Sequence, residues 1–497
     1  MSDETYITRF PEIREPLLRE KSSPGKNKRL VPEPFDPFDG NESLTAGDLP
    51  DLPDVSEPET VRHFTRLSRL NYGIDHGMYP LGSCTMKYNP KILEEIAGRI
   101  CPIHPSDKAG MKSVLGHLKL LQGCLEEICG MDASCLWPAA GAHGELTGMM
   151  VISKAIESRG ESRKKVLIPD TAHGTNPSSC TLAGFVTENI PSCPDGFLRA
   201  EILKEYLDSD VAAVMITNPN TLGIFEAEIH KIADLLHENG SLLYMDGANL
   251  NAIMGAARPG DMGVDCMHVN LHKTFGTPHG GGGPGSGPVL VKKHLTPFLP
   301  VPRIISDNKG EDTLWWDAPE SIGSVHGFLG NVGVLIKALV YILSLGGKGI
   351  KDASQTACLN ANYLRTRLKK SFDLPYDTPT LHEFVLSDKI QSDSGVTTLD
   401  MAKALMDHAF HPPTVYFPLV VHGSIMVEPT ETESIEELDR FVCAMEEIAR
   451  MAQDDPESLH SSPITCPTGR LDEVWAARNL VLSWNSLESK RYTRLSK

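Results

Sequence analysis

The sequence predicts an α/β protein with a mainly parallel sheet in a large domain and a smaller α+β domain at the C-terminus. Three observations carry this. Short apolar runs alternate with amphipathic helical stretches between about residues 112 and 271, and such runs between helices mark strands covered on both faces. A second, shorter alternation follows an apolar stretch around Ile322 to Leu345. The chain has 497 residues, 40% hydrophobic and 23% charged, an ordinary globular composition long enough for several domains.

Before Glu59 the chain carries Pro11, Pro16, Pro24, Pro32, Pro34, Pro37, Pro50, Pro53 and Pro58. Each proline removes a donor and restricts its predecessor, so residues 1–59 are expected to form an extended arm. The large domain is expected over 60–330. Its helical periodicity is clearest from Lys112 to Cys129, where Leu115, Leu118, Leu121, Leu125 and Ile128 fall three or four apart before Gly130. A helix follows from Glu145 to Ser158, then a strand at Val166 to Ile168 and a helix near Leu203. Next come a strand at Val211 to Ile216, a helix from Glu226 to Glu238, and strands at Leu242 to Met245, Met267 to Leu271 and Val289 to Val291. The small domain, 331–497, should contain helices at Ala353 to Leu368, Asp400 to His408 and Ile435 to Met451. Its strands are expected at Thr380 to Leu386 and Val415 to Val421.

Charge narrows the function. Lys plus Arg is 47 against 65 Asp plus Glu, a net charge of −18, which repels nucleic acid and anionic membrane. The basic patch Lys21 to Arg29 reads as a solvated arm. The most apolar stretch, Val332 to Leu345, is interrupted by Lys337 and falls short of the ~18 residues a membrane span needs. Met1 to Thr5 carries no targeting pattern, so a cytoplasmic location is expected. The 11 cysteines include no C-x-x-C, which argues for reduced thiols and against a metal site.

Ligands of open parallel sheets bind beyond the carboxyl ends of the strands. Asp246 follows the Leu242 strand and Lys273 follows the Met267 strand, 273 − 246 = 27 positions later, so an acid and a lysine stand at neighbouring strand ends. Pyridoxal phosphate needs this pair: the lysine for its aldehyde, the carboxylate to keep its ring nitrogen protonated. A lone lysine can equally snorkel and a lone Asp cap a turn, but other strand ends add weight. Asn218 offers an amide for the cofactor's phenolic oxygen. His173 can stack on the ring, in a segment where Asn176 is expected to cap a helix opening at Pro177. Gly141, Ala142 and His143 stand at the start of the Glu145 helix, where backbone N–H groups can hold a phosphate. The run Gly280 to Gly285 contains G-x-G-x-x-G, but Pro284 and Pro288 block the helix that a dinucleotide site requires; a tight loop is expected. Cys84 alone reads as a small buried hydrophobe.

The strings YPLGSCTMKYNP (79 to 90), PAAGAHGELTG (138 to 148), AHGTNP (172 to 177), TNPNTLG (217 to 223), DGANLNAI (246 to 253), NLHKTF (270 to 275), PHGGGGPGSGPV (278 to 289) and EPTETES (428 to 434) carry a resemblance. From about Asn71 to Asp439 the chain resembles the glycine cleavage system P-protein family, glycine dehydrogenase (decarboxylating), as the subunit 2 of its two-subunit form. The resemblance implies a fold type I, aminotransferase-like pyridoxal phosphate enzyme with Lys273 as the Schiff-base lysine. It further implies Asn249 and His272 as cofactor contacts and Ser83, Cys84 and Thr85 as a substrate loop. The implied reaction decarboxylates glycine, releases CO2 and passes the aminomethyl group to the lipoyl arm of H-protein. The implied partner is glycine dehydrogenase subunit 1, in a heterotetramer with two copies of each. Gly276 departs from the family, which usually has serine there, and His408 to Pro413 and Val421 to Met426 also differ. Another fold type I decarboxylase and a non-catalytic scaffold subunit are the alternatives.

Overall fold

A computed structural model describes residues 15–26, 52–100, 103–104, 106–280, 285–480 and 482–483. Two compact units emerge, one of residues 74–460 and one of 1–73 with 461–497. Most of the expected arm, and the centre of the glycine run at 281–284, lie outside the described residues. In the smaller unit the helix Glu57–Ser68 opens with Ser56 and Glu59 bonding each other's backbone N–H and with Pro58 in its first turn.

The larger unit is built on a seven-stranded sheet: β1 (Ala133–Cys135), β2 (Lys165–Pro169), β3 (Val186–Ile190), β4 (Val211–Thr217), β5 (Leu242–Gly247), β6 (Cys266–Val269) and β7 (Val289–Val291). Their order is β1-β7-β6-β5-β4-β2-β3. Neighbours from β6 through β3 pair parallel, whereas β7 runs antiparallel to both β6 and β1. The central strands are apolar on both faces because helices cover both; every residue of β4, β5 and β6 is buried. The expected strand Met267 to Leu271 ends at Val269, since Leu271 opens a one-turn helix, Leu271–Thr274, that holds Lys273. Strand β3 escaped the sequence pattern because only its last residue is buried. The helix Lys108–Cys129 is capped by the Asp107 carboxylate and ends at left-handed Gly130.

Beyond residue 298 the structure adds an unforeseen hairpin, β8 (Arg303–Ser306) with β9 (Asp312–Trp315). The long apolar helix begins at Val332 rather than near Ile322, and it continues to Leu368 with a break at Gly346. Among the described residues it is the one helix long and apolar enough to cross a bilayer. Its Val334, Leu335, Ile336, Ala338 and Leu339 are instead buried in the core around the seven-stranded sheet, while its Ala361, Leu364 and Leu368 join a second core. That second core packs on a three-stranded antiparallel sheet, β10 (Phe384–Ser387), β11 (Thr414–Val415) and β12 (Ser424–Val427). The expected strand Val415 to Val421 is a correction: pairing stops at Val415, Tyr416 turns out with φ 58°, and the ladder is supplied by Ser424–Val427. Segment 78–85 also belongs to this side, with Met78 in the second core and Leu81 bridged to Val427.

Candidate active site

Asp246 closes β5, fully buried. Its Oδ1 accepts the Ala248 N–H at 2.9 Å and its Oδ2 accepts the Thr217 hydroxyl at 3.3 Å. The β5–β6 register places His268 beside it, with Nε2 3.2 Å from Asp246 Oδ1 and Nδ1 2.8 Å from the Tyr244 hydroxyl. Nε2 is not aligned as a donor to that oxygen and has no other partner. Burial pushes Asp246 up, but His268, His173, the Ala248 N–H and Lys273 together bring it below the ordinary carboxylate value. His173 donates its backbone N–H to Thr217 and keeps Nδ1 2.9 Å from the Thr175 hydroxyl. Burial holds it neutral, against the pull of Asp246. The helix expected to be capped by Asn176 has Thr175 at its N-cap position, without a side-chain capping bond; Asn176 is its first residue and donates to Thr217 instead.

Lys273 is buried, and its Nζ donates to the Ser83 carbonyl at 2.9 Å. The loop that receives it is unusual: Ser83 and Thr85 take φ values of 61° and 48°, each costing about 1 to 3 kcal/mol for a residue with a side chain. Two buried carboxylates hold that loop. Glu383 accepts the Ser83 N–H at 2.6 Å, and Glu428 accepts the N–H groups of Cys84 and Thr85 at 3.0 and 2.8 Å and the Thr85 hydroxyl at 2.5 Å. The Cys84 thiol is pushed by burial up to about 11, so it stays protonated at neutral pH.

The phosphate candidates lie at the opening of the helix Gly141–Ser158, which starts four residues before the expected Glu145. A Cβ on Gly141 would meet the Asn270 side chain at 2.5 Å, so only glycine lets the helix start press against the turn that carries Lys273. Ala142 and His143 follow in the same first turn, and His143 Nδ1 accepts the Ala139 N–H at 3.1 Å. The His143 ring lies 6.2 Å from that of His326. His272 Nδ1 accepts the Ser286 N–H at 3.3 Å, and burial pushes this ring down to about 3. Asn218 accepts the Glu226 N–H with its Oδ1, and Asn249 donates to Pro219 O and to Glu383.

Several buried polar atoms at these strand ends lack a partner: Asn218 Nδ2, Asn249 Oδ1, His268 Nε2, Asn270 Oδ1, Thr277 Oγ1 and Ser286 Oγ. Buried polar groups are normally paired, so this donor and acceptor set suits a bound group. With a buried amine, an ionised acid and a free helix N-terminus, it suits pyridoxal phosphate.

The sequence reading missed His382, Glu383, Glu428, His268 and a buried cluster around Lys87. Lys87 Nζ reaches Asn251 and Glu431 at 2.6 Å each and the Thr274 carbonyl at 2.9 Å. Only His268 carried a usable signal, two residues before Asn270 on the strand beside Asp246. The Gly276 departure also has a structural reason: φ is 62° there, and a Cβ would meet the Tyr341 ring at 2.7 Å.

Residues 147–325 match the family described as aminotransferase class-V, and residues 353–461 match glycine dehydrogenase, C-terminal domain. The solved glycine decarboxylase (P-protein) of the glycine cleavage system, in inhibitor-bound form, superposes with a TM-score of 0.67 at 20% identity, covering 83% of this chain and 93% of that one. Glutamate decarboxylase of Lactobacillus brevis gives 0.65 at 14% identity, over 83% of this chain and 96% of that one. Both share the fold. Sequence relatives go further. The probable glycine dehydrogenase (decarboxylating) subunit 2 of Pyrococcus abyssi is 48% identical over 480 residues, 95% of this chain and 96% of the relative. That of Chloroherpeton thalassium is 50% identical over 491 residues, 96% of this chain and 99% of the relative. Identity at this level over nearly the whole length does not arise from a shared fold alone: the chain belongs to the glycine dehydrogenase (decarboxylating) subunit 2 family.

Proposed function

We propose that this chain is the cofactor-bearing subunit of a two-subunit enzyme that decarboxylates glycine and passes the aminomethyl group to the lipoyl arm of H-protein. The observation that carries the reading is the pairing of buried Lys273 with ionised Asp246 at adjacent strand ends. Pyridoxal phosphate, joined through its aldehyde to an enzyme amine, supplies a sink for the electron pair left when CO2 departs. Lys273 is the amine. Asp246, held by the Ala248 N–H and the Thr217 hydroxyl with the His268 ring beside it, would keep a proton on the ring nitrogen. His173 would cover the ring face. The first N–H groups of the helix at Gly141, Ala142 and His143 would hold the phosphate, and His272 would be a further contact. Asn218 Nδ2 and Asn249 Oδ1, both unpartnered, would be available to the cofactor's polar substituents, and Ser83, Cys84 and Thr85 would close the substrate side.

Loss of CO2 needs no general base, so the chain's task is to hold the reacting bond in place and exclude water. Subunit 1 completes the enzyme, in two copies of each subunit. A cytoplasmic location suits the nine described cysteines from Cys84 to Cys443, none of them in a disulfide. The test is exchange of labelled bicarbonate into the glycine carboxylate, with and without lipoylated H-protein and subunit 1. Exchange that needs both supports the reading; no exchange under any combination would overturn it.

A further inference from the structure

Behind the loop that meets Lys273 lies a group of ionisable side chains with no part in the scheme above. A ring nitrogen of His382 and one carboxylate oxygen each of Glu383 and Glu428 lie within 4.8 Å of one another, all three residues fully buried. His382 Nε2 is 3.8 Å from an oxygen of each acid, and neither of its ring nitrogens has a hydrogen-bond partner. Burial and Lys273 push His382 down to about 3, so it is neutral. Two ionised carboxylates this close in a dry site repel strongly, and sharing one proton relieves that. The hydrogen bonds say where the charge rests. Glu428 collects three donors from Cys84 and Thr85, which favours its anion. Glu383 has the Ser83 N–H and a 3.3 Å contact to Asn249. Both acids are raised by burial, Glu383 well above the ordinary carboxylate value. The pair also faces Lys273 and Cys84, and Lys273 in turn faces Asp246, His173, His272 and His279.

We propose that Glu383 and Glu428 share one proton and one negative charge, and that this charge, behind the Ser83-Cys84-Thr85 loop, is the counterion that parks the Lys273 amine as a cation on the Ser83 carbonyl when it is not covalently engaged. The inference rests on the assignment of Lys273 as the cofactor lysine. Replacing one amine by another at the same carbon breaks one C–N bond as the other forms. The incoming ammonium carries three N–H bonds and the new linkage, protonated like the old one, keeps one; the other two, with the proton of the old linkage, leave on Lys273 Nζ as its ammonium. The site must therefore receive an ammonium deep in the protein, and the loop offers it a carbonyl in front and an anion behind. Glu383 and Glu428 act through the loop and are positioning residues.

The experiment follows the pH midpoint of the visible absorption band formed when pyridoxal phosphate is added to the purified full-length protein. With one shared charge, E383Q or E428Q alone leaves one carboxylate to carry it, so each should move the midpoint by less than about half a unit. The double variant loses the charge and should lower the midpoint by about one to two units, the usual effect of one near counterion. Equal, additive shifts in the single variants would mean two charges, and no shift in the double variant would mean none; either overturns the proposal. A midpoint that moves in the wild type on adding a chelator would assign the group to a cation and overturn it too. Infrared difference spectroscopy of wild type against E383Q at about pH 7 covers the case in which the double variant does not fold. A protonated carboxyl band lost in E383Q supports the proposal, and no such band refutes it. A wild type that forms no visible band at all refutes the cofactor assignment, a failure distinct from these.

Discussion

The strand-end cluster around Asp246 and the loop clamp around Glu428 lie on either side of Lys273, yet they are built differently. Asp246, His268, Tyr244 and Thr217 come from three adjacent strands within a stretch of chain from 217 to 268, and the ladder alone brings them together. The clamp joins Ser83 to Glu383 and Thr85 to Glu428, partners 300 and 343 positions apart. The first region is rigid by inheritance from the sheet. The second depends on the whole unit being folded, and it stores backbone strain at Ser83 and Thr85. Functional groups that must stay fixed sit on the ladder, and the part that meets the moving amine sits on the clamp.

The largest effect tests the point where the two regions meet. Lys273→Ala should abolish covalent cofactor attachment and all turnover while leaving the circular dichroism spectrum and melting unchanged; borohydride trapping on another lysine would break the comparison at its centre. Next, Lys87→Met strips a buried ion pair from the clamp side and leaves Glu431 without its cation, which should cost about 3 to 5 kcal/mol of stability by denaturant titration. A loss below about 1 kcal/mol would show that the clamp does not depend on that anchor.

On the strand-end side, Asp246→Asn should bind cofactor but lose about 10²-fold or more in bicarbonate exchange, on the order of 3 kcal/mol. Glu226, held by the Leu198 N–H and Asn220 beside β4, tests how that region responds to pH. Burial raises it from 4.5 to about 7. Between those values the folded state keeps a proton that the unfolded state has lost, so stability falls as pH rises through the window and levels off above it. The drop should be about 3 kcal/mol, and Glu226→Gln should remove it from a melting series between pH 4.5 and about 7. The smallest expected effect is Tyr244→Phe, which deletes the hydroxyl on His268 for about 1 kcal/mol of stability. A much larger loss of exchange activity than of stability would show that His268 matters chiefly through Asp246.

The same contrast explains what the sequence disclosed. Asp246, Lys273 and Asn218 were legible because each follows a short apolar run, and strand ends are where such a fold binds ligands. The central strands were legible for the same reason, whereas β3, polar along most of its length, was not. Glu383 was hidden because a glutamate at the head of an apolar run looks like an exposed strand end, although it is fully buried. Glu428 opens EPTETES, a string that carried the family resemblance but no site assignment. Which of those acids turn inward depends on contacts with residues 83–87, and no local pattern encodes a partner that lies 300 or more positions away. The failed strand at Val415 to Val421 has a local cause: its apolar composition fits a strand, but Tyr416 in the left-handed region breaks the ladder.

The bridge between Leu81 and Val427 sets an order of events during synthesis. From Ser83 to Glu428 is 428 − 83 = 345 positions, which a ribosome adding ~5 to 20 residues per second covers in about 20 to 70 s. Once Val291 has been made the seven-stranded sheet can already be complete, with Asp246 and Lys273 in place and Lys87 on Asn251 and the Thr274 carbonyl, while the loop N–H groups still wait for Glu383 and Glu428 and Lys87 for Glu431. A nascent chain released early would thus carry the lysine and its strand-end acid but no clamp. The last antiparallel strand to be made is the one that closes the site.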